Sequence, residues 1–254
     1  YLMASRLKPN TISTYMRMLR SIYNRGVDMH QAPYVHGLFR DVFTGVDTRQ
    51  KKAIPIGELH MLLNKDPQSE KLRRTQAIAN LLFQFCGMPF SDLAHLEKSN
   101  LERGLLKYNR TKTGTPMSIE VLESAQNAIG GLYNKSDARS SGYPDYLFRI
   151  LSGAYKRNEE GAYREYQSAL RRFNNELKSL SRKLRLHSPV TSYTLRHSWA
   201  TTAKYRGVPI EMISESLGHK SIKTTQIYLK GFELEERTKV NKSNYSYVCN
   251  FKML

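Results

Sequence analysis

The sequence predicts a mainly α protein with one small antiparallel β-hairpin. Two observations carry that prediction. Apolar residues recur at three- and four-residue spacing along most of the chain. Two β-compatible runs flank a single turn signal, Thr113-Gly114. With 254 residues and 40% apolar side chains, the chain has room for one large domain, or a medium one with a smaller companion.

The first helix is read from "NTISTYMRMLRSIYNRGV". Asn10 or Thr11 can cap it, and Gly26 marks its stop. Ile12, Tyr15, Met16, Leu19, Ile22 and Tyr23 form an apolar stripe. Arg17, Arg20 and Arg25 lie off that stripe, either as a solvated basic face or as phosphate contacts. The stretch "TGVDTRQKKAIPIGEL" combines turn residues with the basic pair Lys51 and Lys52, and reads as a linker. The predicted organisation is a partial helical domain over 1–46, a linker over 47–57, a larger domain over 58–232 and a tail over 233–254.

Past the linker, "IGELHMLL" and "TQAIANLLFQFCGM" read as helices, and "LLKYNRTKTGTPMSIEV" as the hairpin. A long helix follows in "YREYQSALRRFNNELKSLSRKLRL". Its stripe of Tyr166, Leu170, Phe173, Leu177, Leu180 and Leu184 suits a core-facing helix better than a coiled coil, and Arg171, Arg172, Lys178, Arg182 and Lys183 lie on the other side. "VPIEMISESLG" is a short helix ending at Gly218, and "SIKTTQIYLK" another, with Ser221 as its N-cap.

Lys and Arg total 40 against 22 Asp and Glu, a net charge of +18, of which residues 1–46 hold +4 and the remainder +14. Such an excess attracts polyanions, nucleic acid first and an anionic membrane surface second. No apolar run approaches the roughly 20 residues of a membrane span. Cys86 and Cys249 fit no disulfide or metal framework, which suits a reducing cytoplasm. The chain opens on Tyr1 rather than Met, and further sequence is expected before it.

One constellation carries chemistry. Arg196 and His197 sit in "TSYTLRHSWATTAKYRG", Tyr193 one turn earlier. Downstream, "LGHKSIKTTQIYLK" supplies His219 and Tyr228. A guanidinium can fork onto two phosphate oxygens. An imidazole can donate a hydrogen bond or move a proton. A phenol can act as an oxygen nucleophile.

Arg-His, then Leu-Gly-His, then Thr-Thr-x-x-Tyr, in that order, resembles the catalytic half of the tyrosine recombinases, or phage integrases. The likeness is sharpest over 191–232 and extends to "FCGMPFSDLAHLEKSNL", "RTKTGTPMSI" and, for the core-binding domain, the N-terminal helix. It is similar to integrases of conjugative transposons. The resemblance implies a mainly α catalytic domain with a small antiparallel sheet, behind a partial helical core-binding domain. It implies a cytoplasmic, nucleoid-associated enzyme that needs no cofactor, metal or ATP, and no P-loop spacing is present. The implied partners are double-stranded recombination sites and a homotetramer that pairs them, with no membrane role. Arg17, Arg20, Arg25, Lys51, Lys52, Arg171, Arg172, Arg182 and Lys183 are the candidate DNA contacts, and the tail is expected to pack on a neighbouring protomer.

Position by position, Tyr228 matches the nucleophile, Arg196 the second arginine, His219 the third-motif histidine and Lys112 the hairpin lysine. His197 reads as structural. Two departures stand out. Tyr193 occupies a position where the family usually has histidine; a phenol is a poorer proton shuttle than an imidazole near neutrality, so it should orient phosphate rather than exchange protons. The first arginine is missing: Pro89 aligns with it, and in the transposon variant Cys86 does. Arg110 is the best stand-in, with Arg73 and Arg74 poorer candidates. Two other readings remain: a DNA-binding regulator on the same fold, and a type IB topoisomerase.

Overall fold

In the computed structural model, residues 7–42, 44–45, 53–136, 140–229 and 234–249 are described, with backbone alone at 227–228, 234–237 and 247–248. The chain divides into two compact units, residues 1–50 and 51–254.

In the first unit, α1 spans Pro9–Asp28. It starts on Pro9 at the first helical position, where the missing N–H costs nothing, and Lys8 stands at the N-cap without a side-chain bond. Asn10 and Thr11 are therefore inside the helix rather than capping it. Gly26 does not end it either. Its carbonyl accepts the amides of Gln31 and Ala32, and the helix runs on to Asp28. The expected stripe is largely uncovered, since Tyr15, Leu19 and Ile22 are exposed. A segment this short has little apolar mass to lay over them. Tyr23 folds back instead: its hydroxyl donates to the Pro33 carbonyl and accepts from Val35 N–H, and its ring meets Phe39.

The second unit opens with α2 (Ile56–Asn64), α3 (Glu70–Gln84) and the short α4 (Phe90–Ala94). The end of the predicted linker is thus helical: Pro55 sits at the N-cap of α2, where proline starts a helix as readily as it breaks one. The expected helix over "TQAIANLLFQFCGM" stops at Gln84, because Cys86 and Gly87 both turn into the left-handed region, at φ 54° and 65°. A three-residue 3₁₀ turn (Lys98–Asn100) leads into the antiparallel sheet of β1 (Leu101–Glu102), β2 (Leu105–Asn109) and β3 (Pro116–Glu120). In register, Leu106 pairs with Ile119, and both side chains are buried. The β2–β3 turn is closed by Arg110 N–H to Thr115 O and Gly114 N–H to Arg110 O, both 2.8 Å.

Next come α5 (Glu123–Leu132), α6 (Glu160–Lys183), α7 (Ser192–Tyr205), α8 (Ile210–Ser216), α9 (Ile222–Tyr228) and α10 (Leu234–Cys249). The α6 stripe does face the core. Phe173, Leu177 and Leu180 are buried with Ile78, Leu81 and Leu82 of α3 and Leu195 of α7. Phe90 of α4 stacks on Phe173 at 4.7 Å, which pins α4 to α6. A smaller apolar cluster stands apart: Ala200, Ile213, Leu217 and Leu229, with Trp199, Ala203 and Val208 packed on it. It ties α7, α8 and the end of α9 together. Among the described residues no helix is long and apolar enough to cross a membrane.

Candidate active site

The local build of α7 explains an arginine inside a buried helix. Thr191 caps α7 and forms a capping box with Thr194. Leu195 and Ala200 face apolar neighbours, and the Ser198 hydroxyl accepts the Ile54 amide at 2.9 Å. Arg196 is only 7% exposed. Its guanidinium forks, donating through Nη1 to Gly87 O at 2.8 Å and through Nη2 to Leu217 O at 2.6 Å. Gly87 must be glycine for this approach: a Cβ there would lie 3.2 Å from the Arg196 Cα, at a left-handed φ. The fork therefore ties α7 to the turn after α3 and to the α8–α9 connection.

His219 lies in that connection. Its Nε2 is 3.3 Å from Arg196 Nη2, and its Nδ1 is 2.8 Å from Thr225 Oγ1, a fully buried hydroxyl of α9. A guanidinium only donates, so Nε2 is the acceptor and the ring proton sits on Nδ1, donated to Thr225. Burial, then the charges of Arg196, Arg110 and Lys112, lower the His219 pKa to about 4. The ring is neutral at pH 7. Unfolded, it titrates at its ordinary value of 6.5, so stability is lost as pH falls from about 6.5 toward 4, where only the unfolded chain takes up the proton. After allowance for screening, the loss attributable to His219 should reach roughly 1–2 kcal/mol by pH 4.5. Denaturation curves of His219→Gln should lack this component; an unchanged pH dependence would contradict the assignment.

Arg110 is not the exposed hairpin charge that its position permits. It is 6% exposed, its Nε lies 2.8 Å from Asp92 Oδ2, and its Nη1 donates to Leu217 O, the same carbonyl that Arg196 holds. Asp92, on α4, also accepts from Thr111 N–H. Sequence reasoning missed Asp92, which had no local pattern to mark it. Gly218 brings the hairpin close, since a Cβ there would meet Met117 Sδ at 2.7 Å and Arg110 Cγ at 3.0 Å. Lys112 stands exposed on the turn, near enough for its charge to act on His219. Breaking the buried Asp92–Arg110 pair leaves one charge uncompensated. Arg110→Met should cost about 3–5 kcal/mol in chemical denaturation, and adding Asp92→Leu should recover part of it. A double variant that loses the sum of both singles would refute the pairing.

Tyr228 is the last residue of α9, the helix that His219 holds through Thr225. Ser221 does occupy the N-cap of α9, but with no side-chain bond. Tyr193, 42% exposed, lies on the first turn of α7, one turn before Arg196. The other proposed stand-ins are engaged elsewhere: Arg73 pairs with Asp66 and Glu70, and Arg74 donates to Arg149 O. Burial pushes the half-buried Cys86 thiol above its usual pKa, so no charge arises there at neutral pH. Arg171, Arg172, Arg182 and Lys183 are exposed on α6, away from its buried stripe. Arg17, Arg20 and Arg25 are exposed on α1. Lys51 and Lys52 fall outside the described residues.

A model of the phage integrase family matches residues 56–234, nearly all of the unit that holds this cluster. The chain belongs to the phage integrase family. Among curated relatives of this integrase-family chain, a probable integrase/recombinase protein of Methanocaldococcus jannaschii is 28% identical over 204 residues, covering 78% of this chain and 58% of that one. The tyrosine recombinase XerD of Halalkalibacterium halodurans is 30% identical over 190 residues, covering 71% and 57%. The chain therefore spans less than two thirds of the length of these two relatives. The integrase of the transposon Tn1549, solved in complex with a circular intermediate DNA, has the same fold, at TM-score 0.66 and 15% identity over 95% of this chain and 82% of that one. The crystal structure of XerA recombinase agrees at TM-score 0.56 and 21% identity, over 96% and 86%. The mainly α fold with a small antiparallel sheet, expected from the sequence, is the fold these integrase-family structures share.

Proposed function

We propose that this chain is a site-specific DNA recombinase that cleaves and rejoins strands through a 3′-phosphotyrosyl link. One observation carries the reading: Arg196, Arg110 and His219, from three distant parts of the chain, meet at the Leu217–His219 connection that leads into the helix of Tyr228. Two guanidinium groups against one carbonyl, with Lys112 nearby and Asp92 offsetting part of the Arg110 charge, make a net positive cluster suited to a phosphate.

In the proposed reaction the Tyr228 hydroxyl oxygen bonds to phosphorus and its proton passes to the neutral His219 Nε2. Protonated, that ring then donates to a phosphate oxygen. Arg196 and Arg110 carry the charge that builds on the non-bridging oxygens. The bond from phosphorus to the 5′-oxygen breaks, and Lys112 supplies the proton for the leaving hydroxyl. A 5′-hydroxyl of the second duplex reverses the sequence, so the bond energy is conserved without ATP. Asp92 compensates part of the Arg110 charge, which predicts slower cleavage than an uncompensated arginine would give.

The duplex partner, the homotetramer on paired sites, protomer exchange by the tail and a cytoplasmic location all belong to this proposal. So does the division into a core-binding portion, a linker, a catalytic portion and the tail. The exposed arginines of α1 and α6 are the proposed backbone contacts, joined by Lys51 and Lys52. They release counterions on binding, so affinity should fall steeply as salt rises. A flat salt dependence would remove the backbone-contact assignment. Incubation with a nicked duplex from the flanking genome, followed by a denaturing gel, tests the reading. A covalent protein–DNA adduct is expected; none with any flanking site would leave a DNA binder.

A further inference from the structure

Helix α9 has seven residues, too few to hold itself in water. Its N-cap gives no side-chain bond, so tertiary anchors must place it. One anchor is Thr225, buried and bonded to His219. The other is at the far end. Leu229 buries its side chain in the small apolar cluster, and its carbonyl accepts from the Lys204 ammonium at 3.0 Å. Tyr228 lies between those two anchors.

We propose that Lys204 is a positioning residue that fixes the C-terminal end of α9, and through it the placement of Tyr228 against the phosphate clamp. The inference rests on the reading of Tyr228 as nucleophile. Three features carry it. Lys204 is on α7, eight residues after Arg196, so one rigid helix bears both the clamp and the contact to the nucleophile's helix, about 12 Å apart along its axis. The last carbonyls of a helix lack intrahelical partners and carry partial negative charge, which an ammonium satisfies. Lys204 is also drawn out of water to do so: it is half-buried, and burial lowers its pKa. A lysine that merely decorated the surface would stay solvated.

The test compares Lys204→Met, which keeps the stem and removes the charge, with Lys204→Arg. Without DNA, backbone amides at 225–229 should exchange with deuterium faster in Lys204→Met, while amides of the α3–α6 core keep their protection. On a nicked duplex at saturating protein, Lys204→Met should form adduct about tenfold more slowly or worse, the scale of a lost charged hydrogen bond. Its DNA affinity should be unchanged, and Lys204→Arg should recover most of the rate. A 5′-bridging phosphorothiolate substrate, whose leaving group needs no proton, should not rescue Lys204→Met. Rescue would make Lys204 a proton donor and overturn the proposal. So would a defect confined to DNA affinity, or unchanged exchange at 225–229. The exchange result stands whether or not the chain cleaves, so failure of this proposal is separable from failure of the recombinase reading.

Discussion

Replacing Tyr228 with phenylalanine will abolish covalent capture of DNA and leave duplex affinity unchanged. The substitution removes one oxygen. The anchors that place α9 are the Thr225 hydroxyl and the Leu229 carbonyl, and neither is touched. The positive cluster of Arg196, Arg110 and Lys112 is also kept, so attraction for the phosphate backbone persists. What disappears is the atom proposed to bond to phosphorus, and the cluster keeps no other oxygen nucleophile on α9 at that position. The expected loss exceeds roughly three orders of magnitude, the scale seen when a nucleophile is deleted from a cooperating set. A denaturing gel on a nicked duplex reads the outcome directly. An adduct formed by Tyr228→Phe would move the nucleophile elsewhere among the chain's 16 tyrosines and end this assignment.

Arg196→Lys should cut the cleavage rate by about two to three orders of magnitude, equivalent to about 3–4 kcal/mol of transition-state stabilisation. The charge is retained, so binding at low salt should change little. The geometry is lost. The guanidinium spans two carbonyls, Gly87 and Leu217, from a buried root; a point ammonium cannot serve both and still face a phosphate. Stability should fall as well, because one buried carbonyl loses its donor. Single-turnover cleavage at saturating protein separates this from weaker binding. A variant that cleaves within tenfold of the unsubstituted rate would show that Arg196 serves the fold and not the phosphate.

The parts of this site legible in the sequence were those written in contiguous residues. Leu217-Gly218-His219 and the run from Thr224 to Tyr228 form one short local pattern, and the α6 stripe announced itself by spacing. Pairings across long separations were not legible. Asp92 meets Arg110 across 18 residues, and Lys204 meets Leu229 across 25, with no periodicity to link either pair. Sequence alone ranks Arg110 above Arg73 and Arg74 only by its place on the hairpin; its burial and its bond to the Leu217 carbonyl are tertiary facts with no local signal. Local chemistry also misled at α1. Gly26 looked like a stop, yet a glycine inside a helix costs only about 1 kcal/mol, and the following turn uses its carbonyl twice.

The Leu217 carbonyl draws one of its two donors from far away in the chain. Arg110 reaches it across 107 residues, and Arg196 reaches Gly87 across 109. Contacts so remote in sequence form late, since the intervening chain must be closed before they reward it. The cluster is therefore assembled only once α7 and the α8–α9 connection have docked on the hairpin and on the turn after α3. Its charges are gathered in one cooperative step, and a chain with α7 undocked would not hold both guanidinium groups in place.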